Sequence, residues 1–296
     1  MEVISPRVDI AFKKIFGVEE NKDLLISLIN SIVSQEDQVR EVTLLNPYNL
    51  KSFRKDKLSV LDIKATGEDG KKFNIEIQIS DEADYDKRAL YYWAKLYTEQ
   101  LKVAEHYKSL SKAIGIHILN FTSIPEVAKY HNVFHVKEKE TGLHYFKNLE
   151  LHTIELSKFA GDKQGELKDF IDKSKNALDI WSTFLTRHDL LNKDHLPAKM
   201  NNLALKKALG VLEVMNFGEE ERMAYEDRLK WLMIEANTLE KYEAKGFEAG
   251  KAEGKAEGKA EGKAEVVKAL HAQGVAIAII ATATSFSEEE IKKLLV

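Results

Sequence analysis

The stretch LSVLDIKATGEDGKKFNIEIQIS, residues 58–80, decides how the first half of this chain folds. Two β-prone runs, 58–66 and 72–79, flank Gly67-Glu68-Asp69-Gly70, and glycine supplies the positive φ that a tight turn needs. The second run alternates. Phe73, Ile75, Ile77 and Ile79 fall on one side of a strand, and Asn74, Glu76, Gln78 and Ser80 on the other. Asp62 interrupts the apolar run Val60-Leu61-Asp62-Ile63, as Glu76 interrupts Ile75-Glu76-Ile77. A carboxylate inside a strand is costly without compensation. With 67–70 as a four-residue loop and Thr66 opposite Lys71, Asp62 and Glu76 miss direct register by one residue, a gap that a bulge or a slightly different loop would close.

Two carboxylates this close repel each other, and a bound divalent cation removes that cost. Hard oxygen ligands with no neighbouring His or Cys favour Mg²⁺ or Mn²⁺ over zinc. Gln78 projects from the same strand face as Glu76 and is placed to orient a water or a bound anion. The plainer alternative is two acids on the solvent face of a hairpin.

Around the hairpin, the periodicity predicts helices over 9–16 and 21–33, the latter with Leu24, Leu25, Leu28, Ile29 and Ile32 at helical spacing. A long helix follows over 86–107, then strands over 112–121, 131–137 and 149–156. Arg88, Tyr91, Tyr92 and Trp93 share that helix; its aromatics read as packed on the sheet, with Tyr91 lining the two acids as the alternative, since the helix directly follows their second strand. Helices, paired strands, a crossover helix and further strands describe an α/β fold with a mixed sheet. Residues 158–242 read as helical, with Leu185, Leu190, Leu203, Leu205, Leu209, Leu212 and Trp231 in amphipathic patterns.

From Lys245 onward glycine recurs every four residues, at 246, 250, 254, 258 and 262, separated by Lys-Ala-Glu. Each such glycine costs a helix about 1 kcal/mol, and the period stacks lysine on lysine and glutamate on glutamate. An isolated helix there should be weak, leaving a flexible linker or a helix stabilised by a partner. Short helices are expected over 276–283 and 288–295, with Ser287 as N-cap and Glu290 completing a capping box. The chain thus divides into 1–157, 158–242 and 243–296.

Composition narrows the class. The chain has 296 residues, 44% hydrophobic and 31% charged. No apolar run approaches the roughly 18–20 residues of a membrane span, and residues 1–10 show no signal-peptide pattern. The absence of cysteine excludes disulfides and Cys-ligated zinc and fits a cytoplasmic protein. A net charge of −4 counts mildly against a generic nucleic-acid binder. Lys51, Arg54, Lys55, Lys57, Lys64, Lys71 and Lys72 nonetheless cluster near the two acids, where they either contact phosphates or solubilise the surface. No phosphate-cradling glycine loop is present. His131 and His135 lie in a β-prone run, where four residues span about 13 Å, too far to share a zinc ion.

The motif SPRVDIAFKKIFG at residues 5–17, Asp62, the Glu76-x-Gln78 strand, the Arg88-x-x-Tyr91-Tyr92 helix, the Gly-Lys-Glu repeat and the terminal Ser287-to-Ile291 helix occur here in order. In that combination the sequence resembles the PD-(D/E)XK nuclease superfamily, within it the Rpn-like recombination-promoting nuclease and transposase family. The resemblance implies a restriction-endonuclease-like mixed sheet flanked by helices, followed by a mostly helical C-terminal region. It implies an Mg²⁺- or Mn²⁺-dependent endonuclease hydrolysing DNA phosphodiester bonds. Asp62 matches the first metal-binding acid and Glu76 the second, and the Ile77 carbonyl would be a further ligand. Gln78 stands where the motif lysine usually does, so Lys64 or Lys13 would supply the missing positive charge. Asp9 matches an acid on the first helix that joins the site in many relatives. A homo-oligomer formed through the region after about Tyr242 is expected, with no membrane involvement. The rival expectation is a non-enzymatic nuclease-fold scaffold that acts by self-association.

Overall fold

The computed structural model describes residues 4–48, 62–81, 84–161, 165–215 and 217–295. The chain forms two compact units, Met1–Leu232 and Met233–Val296. The first is built on a six-stranded mixed sheet. Its strands are β1 (Val42–Leu44), β2 (Ile63–Gly67), β3 (Lys72–Gln78), β4 (Ala113–Leu119), β5 (His131–Phe134) and β6 (Leu149–Glu155), in spatial order β1-β2-β3-β4-β6-β5. β2 runs antiparallel between β1 and β3, β3, β4 and β6 run parallel, and β5 returns antiparallel on β6. The expected hairpin, central apolar strand and two later strands are all present. Residues 58–61 of the first expected strand lie outside the described residues, as do Lys51, Arg54, Lys55 and Lys57.

β4 explains its own position. All seven of its residues are buried, as a strand covered on both faces requires. One face of the sheet is apolar: Ile63, Ala65, Phe73, Ile75, Ile77, Ile114, Ile116, Ile118 and Ile154 share one core. That core takes in α1 (Asp9–Phe16) and α2 (Lys22–Ile32), the latter burying the five aliphatic residues its periodicity marked. It also takes in Trp181 and Phe184 of the helix Ala177–Arg187 and Leu205 and Leu209 of the helix Leu203–Glu213. Leu185 and Leu212 are buried too, whereas Leu203, at the first position of its helix, is exposed; the side chain of Trp231 lies outside the described set.

α3 (Tyr85–Thr98) crosses from β3 to β4 and covers the other face, where Tyr85 and Ala89 pack with Leu119. It stops at Thr98 instead of reaching 107. Beyond it Ala104 adopts φ 71°, a conformation through which no helix of L-residues continues. Trp93 does pack on the sheet, its indole N–H donating to the Ala113 carbonyl, but Tyr91 is 63% exposed, so the aromatic run is not uniformly core.

The repeat is helical. A single helix, α4 here, runs Glu219–Ala272. Alanine, lysine and glutamate are strong helix formers, and nucleation, the costly step, need not be repeated inside a helix already under way. Beyond it the helices Ile277–Thr284 and Glu288–Leu294 close a small core of Val267, Ile280 and Ile291, and Ser287 with Glu290 forms the expected capping box. Among the described residues no helix is long and apolar enough to cross a membrane.

The first turns of α4 are tied to the chain's start. The Lys14 ammonium donates to Glu221 at 2.9 Å, as does the Tyr48 hydroxyl at 2.7 Å. Arg228 Nε pairs with Asp9 Oδ2 at 2.9 Å. The Ser5 N–H donates to the Tyr225 hydroxyl at 2.9 Å. Residues more than 200 positions apart therefore fix where α1 sits.

Candidate active site

The turn sets the register. Gly70 N–H donates to the Gly67 carbonyl at 3.0 Å and Gly67 N–H to the Lys71 carbonyl at 2.9 Å. Gly70 has φ 84°, the left-handed conformation of a G1 bulge that only glycine adopts freely. The bulge makes Thr66 pair with Lys72, not Lys71, and Ile63 with Ile75. Continuing that register by one residue sets Asp62 opposite Glu76. The one-residue gap left by a four-residue loop is closed by the bulge.

Neither acid is on a solvent face. The Asp62 side chain is 16% exposed and that of Glu76 12%. Asn46 clamps Asp62: its amide donates to the Asp62 carbonyl at 3.0 Å and to Oδ1 at 3.4 Å, while its own carbonyl accepts from Lys64 N–H at 2.7 Å. Lys64 Nζ stands 3.9 Å from Asp62 Oδ2. Burial raises the Asp62 pKa, with Lys64 and then Lys13 opposing.

Lys13 projects from α1 and is 3% exposed. Burial lowers its pKa to about 8, against the pull of Asp62 and helped by the nearby charge of Lys64. Gly17 makes room for it, since a Cβ there would stand 2.9 Å from Lys13 Cγ and 3.3 Å from Ile63. Lys72 is committed to the Thr66 hydroxyl, and Lys71 to Asp69, Asp37 and the Glu36 carbonyl.

Glu76 meets two residues that sequence reasoning did not assign to the site. Arg88 of α3 brings Nη2 to 3.6 Å from Oε1, and His117, directly across the parallel ladder, brings Nδ1 to 3.8 Å from Oε2. His117 is buried, which holds its pKa near 4 and keeps the ring neutral at neutral pH, with His152 and Arg88 adding to the effect. A signal for His117 existed: like the two acids, it is a lone ionisable residue inside an apolar strand. Arg88 carried no such mark, because only the tertiary fold brings α3 over β3.

Gln78 is buried on the same face as Glu76; its side-chain amide donates to the Ser80 carbonyl at 3.2 Å, and its backbone carbonyl accepts from Asn120 N–H at 2.9 Å. Ile77 points its side chain into the apolar core. Asp9 is buried, and its described contacts run to Arg228 and to Ile10 N–H at 2.7 Å. Burial raises its pKa and Arg228 opposes the rise. His131 bonds His152 at 2.9 Å, and His135 stands 3.7 Å from Glu150, so the two histidines serve different contacts.

A family model for PD-(D/E)XK nuclease family transposases matches residues 6–242. The chain belongs to this PD-(D/E)XK family. No curated protein and no solved structure matches it. The span shared with the PD-(D/E)XK family takes in the whole six-stranded sheet, both hairpin acids and α1. The mixed sheet with flanking helices agrees with a restriction-endonuclease-like fold.

Proposed function

We propose that the chain is a divalent-metal-dependent endonuclease that hydrolyses DNA phosphodiester bonds, of the recombination-promoting type within its family. Asp62 and Glu76 are its metal-holding acids. The observation that carries this reading is the register that sets those two carboxylates opposite each other, mostly buried, within a rim of Lys13, Lys64 and Arg88.

The donor set fits Mg²⁺ or Mn²⁺. Magnesium takes one or two carboxylates and fills its other positions with water and substrate phosphate oxygens. The Ile77 carbonyl is the remaining donor on this strand. When bound, the cation would supply activation of water and stabilisation of charge on the phosphate. The chain's own residues do the rest. Asn46 fixes the Asp62 carboxylate. Arg88 presents a planar guanidinium suited to a phosphate. Lys64 and Lys13 place positive charge where Gln78 offers only an amide. The direct test is supercoiled plasmid with Mg²⁺ or Mn²⁺; absence of nicking with both ions would overturn the reading.

A pH profile probes Lys13. Cleavage should climb as the raised Asp62 carboxyl ionises, then fall as the pH rises through about 8, where Lys13 loses its charge. Lys13→Met should lower the rate and erase the alkaline fall. A wild-type profile that stays flat above that pH would remove Lys13 from the reaction.

A second reading, a catalytically weak nuclease fold that works by self-association, draws on the unit Met233–Val296. Its repeat glycines face open space, with nothing within 4 Å of a Cβ built on them. The two readings are compatible, and we propose that copies associate through the region after about Tyr242. Truncation after Lys241 should then convert a multimer to a monomer by light scattering; a truncated chain that stays multimeric would contradict this.

A further inference from the structure

A cavity of about 430 Å³ lies in the first unit, and none of the residues assigned to catalysis lines it. Arg7, Asn120, Ser157, Phe170, Arg187 and Asp189 are among its walls. Its position follows from the ladder. Asn120 comes directly after Leu119, the partner of Gln78, and its N–H donates to the Gln78 carbonyl at 2.9 Å. One wall of the cavity therefore lies one residue past the end of β4, beside the end of β3. Open α/β sheets bind ligands beyond the carboxyl ends of their strands.

Arg7 is the cation to account for. Arg7 Nη1 donates to the neutral Asn120 Oδ1 at 2.6 Å. Among the described residues no carboxylate lies within ion-pair distance of Arg7. Asp189, the acid that acts on it through space, is already held by Arg187, through Nε at 3.2 Å and Nη2 at 3.3 Å. Arg187 is fixed further by its bond to the Gly165 carbonyl at 2.6 Å and by lying over the Phe170 ring at 5.4 Å. Burial weighs against the charged form of Arg7, with Asp189 opposing. A partly buried cation without a full counter-charge is costly, and an incoming anion relieves it. Guanidinium favours phosphate, which it can meet with two parallel N–H donors. The Ser157 hydroxyl, 3.1 Å from that of Thr122, adds a neutral donor at the wall. The volume exceeds what a bare phosphate needs and admits its sugar as well.

We propose that this cavity is a phosphate-binding position that holds a backbone phosphate of the DNA strand next to the one being cut. The proposal rests on the nuclease reading for the identity of the strand, but the pocket's affinity for phosphate can be tested without it. Arg7 and Arg187 are here positioning residues.

The experiment has two arms, each with wild type, Arg7→Gln and Ser157→Asp, all checked by thermal melting. Ser157→Asp guards against misfolding by Arg7→Gln, because it leaves the core intact and sets an acid in the first turn of the helix Leu156–Ala160, where a negative charge is tolerated. In the first arm inorganic phosphate alone is titrated by calorimetry. One phosphate should bind per wild-type chain, and both variants should weaken it by about tenfold or more. Failure of wild type to bind, or equal binding by folded variants, overturns the pocket. In the second arm a labelled duplex is bound in Ca²⁺ across a salt series. Arg7→Gln should reduce the slope of log affinity against log salt by about one, and inorganic phosphate should compete. An unchanged slope with phosphate binding intact would mean that the pocket takes free phosphate, and would overturn its assignment to the strand. Phosphate binding through Arg7 in a protein that never cuts DNA would sink the nuclease reading and leave the pocket standing.

Discussion

Supercoiled plasmid incubated with Mg²⁺ should be nicked by the wild-type chain and left essentially intact by Asp62→Ala and by Glu76→Ala, a loss on the order of a hundredfold to a thousandfold for each. The size follows from how the two acids share their task. Each stands one residue beyond Ile63 and Ile75, the last paired positions of the hairpin, and each is mostly withdrawn from water. With one carboxylate gone, a divalent cation would have to bind with a single anionic ligand, beside Lys64 where Asp62 remains or beside Arg88 where Glu76 remains. Calorimetry with Mn²⁺ should therefore lose its signal in the same variants. Asp62→Asn and Glu76→Gln keep the side-chain shape and should behave like the alanine variants, because the charge is what matters. Asn46→Ala should cost less, since it removes only the clamp on Asp62. Equal cutting by wild type and both alanine variants would take the hairpin out of catalysis.

The hairpin acids were legible because a carboxylate in an apolar strand breaks the alternation around it. The limits of α1 were legible for a related reason: Gly17 follows the last apolar residue of a strongly periodic run. Register was legible only to within one residue, because a bulge depends on the backbone angle at Gly70, and both a four-residue loop and a bulged one suit the same sequence. β1 passed unnoticed, since three residues are too few to show a period. Arg88 entered the site through packing of α3 on β3, and Asn46 through a loop beside β2; the motif that holds Arg88 gave it no partner, and Asn46 leaves no local mark. The repeat shows the opposite failure. Its local helix propensity is poor at every fourth residue, yet the chain is helical from Glu219 through Ala272.

Phe16→Ala should destabilise the first unit by about 3–5 kcal/mol, the usual cost of emptying a core position filled by an aromatic ring. Phe16 has no exposed surface, stacks at a tilt on Phe12 at 4.8 Å between ring centres, and meets Trp181 edge-on at 5.3 Å. It thus joins α1 to the helix Ala177–Arg187, which lies beyond the sheet in sequence but shares its core. Against a total stability of about 5–15 kcal/mol, such a loss leaves little margin. Urea unfolding should move to a much lower midpoint, whereas Leu203→Ala, at an exposed helix start, should shift it by less than about 0.5 kcal/mol. The functional consequence is the sharper test. α1 carries Lys13 to the side of Asp62, and its place is set by packing through Phe16 together with the ties from Glu221, Tyr225 and Arg228. If the helical region serves the site by fixing α1, cleavage by Phe16→Ala should fall even at temperatures where the chain remains folded. Undiminished cleavage by the folded variant would show that α1 needs no such support, and that the helices after the sheet contribute stability alone.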